Sequence, residues 1–140
     1  MSDEASTTIA RGLLDTSVII ALEQVPAGSL PLEPAIAAVT LAELAAGPHA
    51  TDDPEKRARR QERLQRIEAL LDPLLFDAAV ARAYGRVYAA ARARERTARG
   101  ARAVDLLIAA TALANDLPLF TRNPDDVAHL DTVGLEVRTV

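Results

Sequence analysis

Four stretches of this chain carry an acid in an apolar setting. Asp15 closes the run Leu13-Leu14 and precedes Val18-Ile19-Ile20. Glu43 lies inside the otherwise apolar segment Thr40 to Ala46. Asp105 opens the apolar segment Val104 to Ala114. Asp125 and Asp126 follow Leu119-Phe120 after Thr121-Arg122-Asn123. Each has an ordinary explanation on its own. Asp15 can cap a helix. Glu43 stands three residues after Thr40, which is a capping-box spacing. An Asp near a helix N-terminus, as at 105, is favoured by the helix dipole. Asn123 with Asp125 or Asp126 can form a turn and a cap. These explanations do not cover four such placements in one short chain.

Carboxylates gathered in a partly buried crevice repel one another, and they ionise together only if a cation shares the site. The chain has no Cys and only two His, so the ligands on offer are oxygens, which suit Mg²⁺ or Mn²⁺. Such ions lower the pKa of a bound water and neutralise charge on phosphoryl oxygens, often as a pair about 3.5–4 Å apart. Metal-dependent phosphodiester hydrolysis is therefore one chemistry that these residue types reach, though not uniquely. Metal-free acid–base cleavage of RNA usually needs two placed imidazoles. His49 and His129 both fall outside the acid-bearing stretches and read as surface residues.

The elements that must position the acids alternate along the chain. Residues 1–11 are small and polar and predict a frayed N-terminus. A short strand ends near Asp15, and a helix follows from about Thr16 to Leu22. Pro26, Gly28, Pro31 and Pro34 mark a loop. Ile36–Val39 predicts a second strand, and Thr40 opens a helix that Gly47-Pro48 ends. Thr51-Asp52-Asp53-Pro54 starts a helix to about Leu71. An extended piece at Pro73–Phe76 precedes a helix that Asp77 caps and that runs to about Arg96. A basic loop, Thr97 to Arg102, leads into a helix from Val104 to Asn115. Pro118–Phe120 and Leu135–Val140 predict two further strands. The order predicts an α/β sandwich with a mostly parallel sheet. In such a sheet the carboxyl ends of the strands form the ligand crevice. Asp15 and the group at 123–126 fall at that edge, and Glu43 and Asp105 follow shortly after strands or loops that can share it.

The four stretches together resemble a PIN-domain nuclease, and most of all the VapC toxins of bacterial toxin–antitoxin pairs. Leu13-Leu14-Asp15-Thr16-Ser17-Val18-Ile19-Ile20 carries the likeness, with Val39–Gly47, Val104–Ala112 and Leu119–Asp126. Their order and spacing cover residues 12 to 140, which read as one domain. The resemblance implies a three-layer sandwich with about five parallel strands, acids clustered at one edge, and Mg²⁺- or Mn²⁺-dependent cleavage of RNA to 5′-phosphate and 3′-hydroxyl ends. It assigns Asp15, Glu43 and Asp105 as core acids and metal ligands. At the fourth place relatives often have Asp where this chain has Asn123; here Asp126 can complete the charge while Asn123 offers a neutral oxygen. Val127 stands where an aromatic commonly follows that Asp, a departure that touches packing more than chemistry. Thr16, Ser17 and Thr121 look like supporting hydroxyls around Asp15. The family also implies a homodimer, and an antitoxin of the VapB kind whose C-terminal segment enters the active-site groove.

The rest of the composition bears on partners and rivals. Of 16 basic residues all but Lys56 are arginine, and 20 acids leave a net charge of −4. That balance differs from a generic basic nucleic-acid binder. Arg57, Arg59, Arg60, Arg63 and Arg66 stripe one helix, diluted by Glu55, Glu62 and Glu68, and read as a solvated face. The run Arg92, Arg94, Arg96, Arg99 and Arg102 abuts Asp105 and reads, with Arg122, as the contact to RNA backbone. A receiver-type phosphoacceptor domain needs a Lys at a late strand end, and Lys56 lies in a mid-chain helix. A haloacid-dehalogenase-type phosphatase needs Asp-x-Asp where this chain has Asp15-Thr16-Ser17. A PIN-fold nuclease that is no toxin, or a silent interaction module, stays as the alternative. No stretch is long and apolar enough for a membrane span, the first residues are acidic where a signal peptide is basic, and the missing Cys fits the cytoplasm.

Overall fold

Adjacent side chains on a strand point to opposite faces of a sheet. Leu13 and Leu14, Ile36 and Ala37, and Leu119 and Phe120 are all buried, so a covering layer is required on each face. The computed structural model describes residues 9–94 and 101–140, with side chains from 103 onward in the second stretch. Its strands are β1 (Arg11–Leu14), β2 (Glu33–Ala37), β3 (Pro73–Leu74), β4 (Leu119–Thr121) and β5 (Val137–Thr139). The helices are α1 (Thr16–Ile20), α2 (Ala38–Ala46), α3 (Pro54–Leu70), α4 (Ala78–Ala93) and α5 (Ala101–Ala114). The strands form one sheet in the order β3-β2-β1-β4-β5, and every neighbouring pair is parallel.

On one face Leu13, Ala37 and Leu119 pack with Val80, Val87 and Leu106 of α4 and α5. On the other, Leu14, Ile36 and Phe120 meet Val18 and Ile19 of α1, Leu44 of α2 and Ile67 of α3. The expected three-layer sandwich is thus present, with β1 at its centre. Gly12 lets Phe120 lie flat on that strand: a Cβ at position 12 would stand 2.3 Å from Phe120 Cε1. Asp53 and Asp77 cap α3 and α4, accepting from the backbone N–H of Glu55 at 3.1 Å and Val80 at 3.0 Å. Among the described residues no helix is long and apolar enough to cross a membrane.

Several boundaries differ from the sequence reading. Residues 1–8 lie outside the described residues, but 9–11 are not frayed. The carbonyls of Ile9 and Ala10 accept from the N–H groups of Leu32 and Glu33, so backbone pairing, with Ile9 packed on the core, holds this stretch to β2. The second strand starts at Glu33 and takes in Pro34. Glu33 N–H faces Ala10, so Pro34 faces the opposite edge, where β3 begins only opposite Ile36. A missing N–H there costs no ladder bond. The strand also ends earlier than expected. Helix α2 therefore starts at Ala38 without a side-chain cap, and Thr40 is an interior, fully buried residue. The predicted capping box of Thr40 and Glu43 does not exist. Asp105 does not open its helix but is the fifth residue of α5. His129, expected on the surface, is 8% exposed within the 3₁₀ stretch Ala128–Val133, while His49 is exposed as expected.

Candidate active site

Asp15 directly follows β1, and its backbone N–H donates to Phe120 O at 2.9 Å, extending the pairing with β4 by one residue. The chain then turns into α1, and Asp15 Oδ1 accepts from Thr16 N–H at 2.9 Å. Capping is therefore part of what this residue does. It is not the whole, because Oδ2 accepts two further bonds, from Ser17 Oγ at 2.9 Å and from Thr121 Oγ1 at 2.8 Å. Thr121 ends β4 and is buried. Its hydroxyl also accepts from Asn123 N–H at 3.0 Å, and Ser17 Oγ accepts from Arg122 N–H at 3.2 Å. The half-buried carboxylate thus locks the end of β1 to the end of β4 and fixes the 121–123 turn. The Asn123 side chain stands exposed beside it.

Glu43 is exposed on the second turn of α2, the helix that leaves the carboxyl end of β2. Thr16 Oγ1 donates to Glu43 Oε1 at 2.5 Å. The Thr16 hydroxyl therefore serves Glu43, and only its backbone N–H serves Asp15. This corrects its assignment as a hydroxyl around Asp15; Ser17 and Thr121 do fill that role. A hydroxyl has one proton, which the carboxylate takes, and Thr40 Oγ1 meets the same Thr16 oxygen at 3.3 Å. The residue that sequence spacing paired with Glu43 through a cap is joined to it instead through Thr16.

The structure brings Asp15, Thr16, Ser17, Glu43 and Thr121 into one hydrogen-bonded chain at the carboxyl ends of β1, β2 and β4. Asp105 is half-buried on α5 and Asp126 half-buried in the one-turn 3₁₀ helix Pro124–Asp126. Among the described residues no three His, Asp or Glu side chains stand close enough together to grip one ion. The donor chemistry itself fits a hard divalent cation, since all the side chains on offer present oxygens. Arg99 lies outside the described residues, as does the Arg102 side chain. Arg122 is exposed, with its backbone N–H in the network.

A cleft of about 420 Å³ opens beside Glu43. Thr16, Ile20 and Glu43 line one side, and Lys56, Arg59, Arg60 and Arg63 of α3 line the other. The sequence reading puts Arg59, Arg60 and Arg63 on a solvated face and Lys56 only in a mid-chain helix. The signal was there: 56, 59, 60 and 63 follow the i, i+3, i+4, i+7 spacing of one helix face.

An all-parallel, helix-covered sheet with acids and hydroxyls at its carboxyl edge makes this an α/β protein with its crevice at the strand ends. A family model described as PIN domain matches residues 12–132. The chain is 40% identical to Ribonuclease VapC5 of Mycobacterium tuberculosis over 132 residues, covering 90% of this chain and 92% of that protein. The crystal structure of VapBC-5 from the same organism, a member of the VapBC family of toxin–antitoxin systems, superposes with a TM-score of 0.82 at 36% identity, covering 94% of this chain and 99% of that one. VapBC2 from Rickettsia felis, bound to a DNA fragment from its promoter, shares the fold at a TM-score of 0.72 and 24% identity, over 92% and 98% of the two chains. The chain belongs to the PIN-domain family, and within it to the VapC kind.

Proposed function

We propose that this chain is a metal-dependent endoribonuclease and the toxin of a toxin–antitoxin pair, built as a single domain over residues 12–140. The observation that carries the reading is the Asp15–Thr16–Glu43 chain of hydrogen bonds at the sheet edge, beside an open cleft with a cationic wall. The 40% identity to a ribonuclease and the likeness to a toxin–antitoxin complex support it from outside the site.

Asp15, Glu43, Asp105 and Asp126, with the neutral oxygen of Asn123, would hold Mg²⁺ or Mn²⁺, the ion itself drawing together carboxylates that stand apart and repel one another without it. When bound, such an ion supplies an activated water and charge neutralisation at the phosphoryl group. The chain's own residues supply position. Thr16 N–H, Ser17 and Thr121 leave Asp15 little rotational freedom, so one carboxylate orientation persists. Thr16 steers Glu43, which would otherwise swing freely on an exposed helix face. Arg122 and Asn123 lie on the turn that Thr121 and Ser17 pin, at the mouth of the site. The basic run near Asp105, with Arg99 and Arg102, belongs to the same reading as a contact to RNA.

A VapB-like antitoxin is the natural partner, in a hetero-oligomer of toxin dimers, and the place of action is the cytoplasm. An antitoxin Arg reaching the acids would replace the cation in charge. The test is incubation of the purified chain with RNA, with Mg²⁺ and with EDTA, beside Asp15→Ala and Asp105→Ala. Cleavage only by the native chain with metal is expected; cleavage that survives EDTA and both substitutions overturns the mechanism. Growth arrest on expression, relieved by the neighbouring upstream gene, is expected of a toxin and not of a housekeeping nuclease.

A further inference from the structure

We propose that Lys56, Arg59 and Arg63 on α3 form a phosphate rail that holds the backbone of a single-stranded RNA as it enters the cleft beside Glu43. This rests on the ribonuclease reading and adds to it a surface, a partner chemistry and a direction of approach.

The cationic residues of α3 do different things. Arg57 donates from Nε to Pro48 O at 3.1 Å and from Nη2 to Thr51 O at 2.8 Å. Arg60 donates to Gly47 O at 2.9 Å. Arg66 pairs with Glu23 and Glu62. These three tie the helix to its surroundings. Lys56, Arg59 and Arg63 make no hydrogen bond or ion pair among the described residues, and all three line the cleft. At about 100° per residue, positions 56, 59, 60 and 63 span an arc of about 100°, with Glu55, Glu62 and Glu68 all falling outside it. Into this cleft the helix therefore presents cations and no acid of its own, although Arg59 and Arg63 also border an adjoining pocket with Glu23 and Glu62.

A cationic wall facing a carboxylate across open space could simply close into ion pairs. Glu43 instead spends its Oε1 on Thr16, and no bridge from Glu43 to α3 forms. The cations remain available to an anion brought from outside. A chain of net charge −4 repels RNA at long range, so attraction must be local. With two Tyr and two Phe, base stacking can contribute little, which leaves the phosphates as the feature to hold. The rail therefore makes association strongly salt-dependent.

The test compares Arg59→Gln/Arg63→Gln with Arg82→Gln/Arg86→Gln, an equal charge change on exposed positions of α4. The readout is kcat and KM for a labelled single-stranded RNA that the native chain cleaves, across 50 to 200 mM salt. Each phosphate of a single strand that is left without its protein cation removes about 0.7 from the salt slope. The α3 variant is expected to lose about 1.4 in the slope of log(kcat/KM), so its rate falls about 7-fold less than native over that range. Its KM rises while kcat stays within about twofold, and the α4 variant behaves as native. An unchanged slope in the α3 variant, or an equal change in the α4 variant, overturns the rail while the ribonuclease reading stands. Failure of the native chain to cleave any RNA overturns that reading and the rail with it. An oligoglutamate peptide that binds native but not the α3 variant, with RNA kinetics unchanged, assigns the face to an acidic protein and also overturns the proposal.

Discussion

Replacing Thr16 by Val separates what the site needs from what the fold needs. Valine keeps the shape of threonine and its backbone N–H, so the bond to Asp15 Oδ1 survives. What disappears is the hydroxyl between Glu43 and Thr40. A hydrogen bond to a charged group contributes about 1.5–3 kcal/mol, and because Glu43 is exposed, water takes the place of the hydroxyl and the lower end applies. About 1.4 kcal/mol of forfeited positioning corresponds to about tenfold in rate. The stability cost has another origin. Thr40 is fully buried, and its hydroxyl is left without its neighbour. An unsatisfied buried hydroxyl costs about 1–2 kcal/mol, which for a domain of this size lowers Tm by about 3–8 °C. Replacing both partners by apolar groups of like shape is close to neutral. Thr16→Val/Thr40→Val is therefore expected to regain most of the Tm and none of the rate. RNA cleavage under single-turnover conditions and thermal unfolding of both variants check this. Return of cleavage together with stability in the double variant would refute a positioning role for the Thr16 hydroxyl, as would a single variant that cleaves at the native rate.

Other expectations are shorter. Glu43→Gln keeps an oxygen for Thr16 and removes the charge; urea unfolding is expected to move by less than about 0.5 kcal/mol, while metal-supported cleavage falls at least tenfold. Asp15→Asn should cost about 1–2 kcal/mol, since one amide edge now presents donors to Ser17 and Thr121, and the rise in Tm that Mg²⁺ or Mn²⁺ confers on the native chain should vanish. A metal-induced rise of equal size in that variant would place the ion elsewhere. Gly12→Ala forces Phe120 off β1 and is expected to destabilise by about 1–3 kcal/mol in denaturant unfolding.

The layering of this chain was legible because its periodicities are strong. Leu13-Leu14 and Leu119-Phe120 are adjacent apolar pairs, and an adjacent pair on a strand needs two covering layers wherever the rest of the chain goes. Asp53 and Asp77 announced their helices by cap chemistry, which acts over three residues and needs no distant partner. Pro34 misled, because the cost of a missing N–H depends on whether a neighbouring strand stands opposite, and that is a property of the sheet. Thr40 misled for a related reason: the capping-box spacing was present, but β2 ended early enough that the helix began two residues before it.

Residue types and their order along the chain establish the kinds of atoms at the site: carboxylates, hydroxyls and one amide beside apolar strands, with no thiolate and no imidazole among them. That suffices for the family and for oxygen-ligand chemistry, because both depend on residue type and spacing. The pairings come from the packed fold. Thr16 and Glu43 are 27 residues apart, and Asp15 and Thr121 are 106 apart, so no local rule could join them. The basic face of α3 became one wall of a cleft because a helix face acquires a role only when packing decides what stands opposite it.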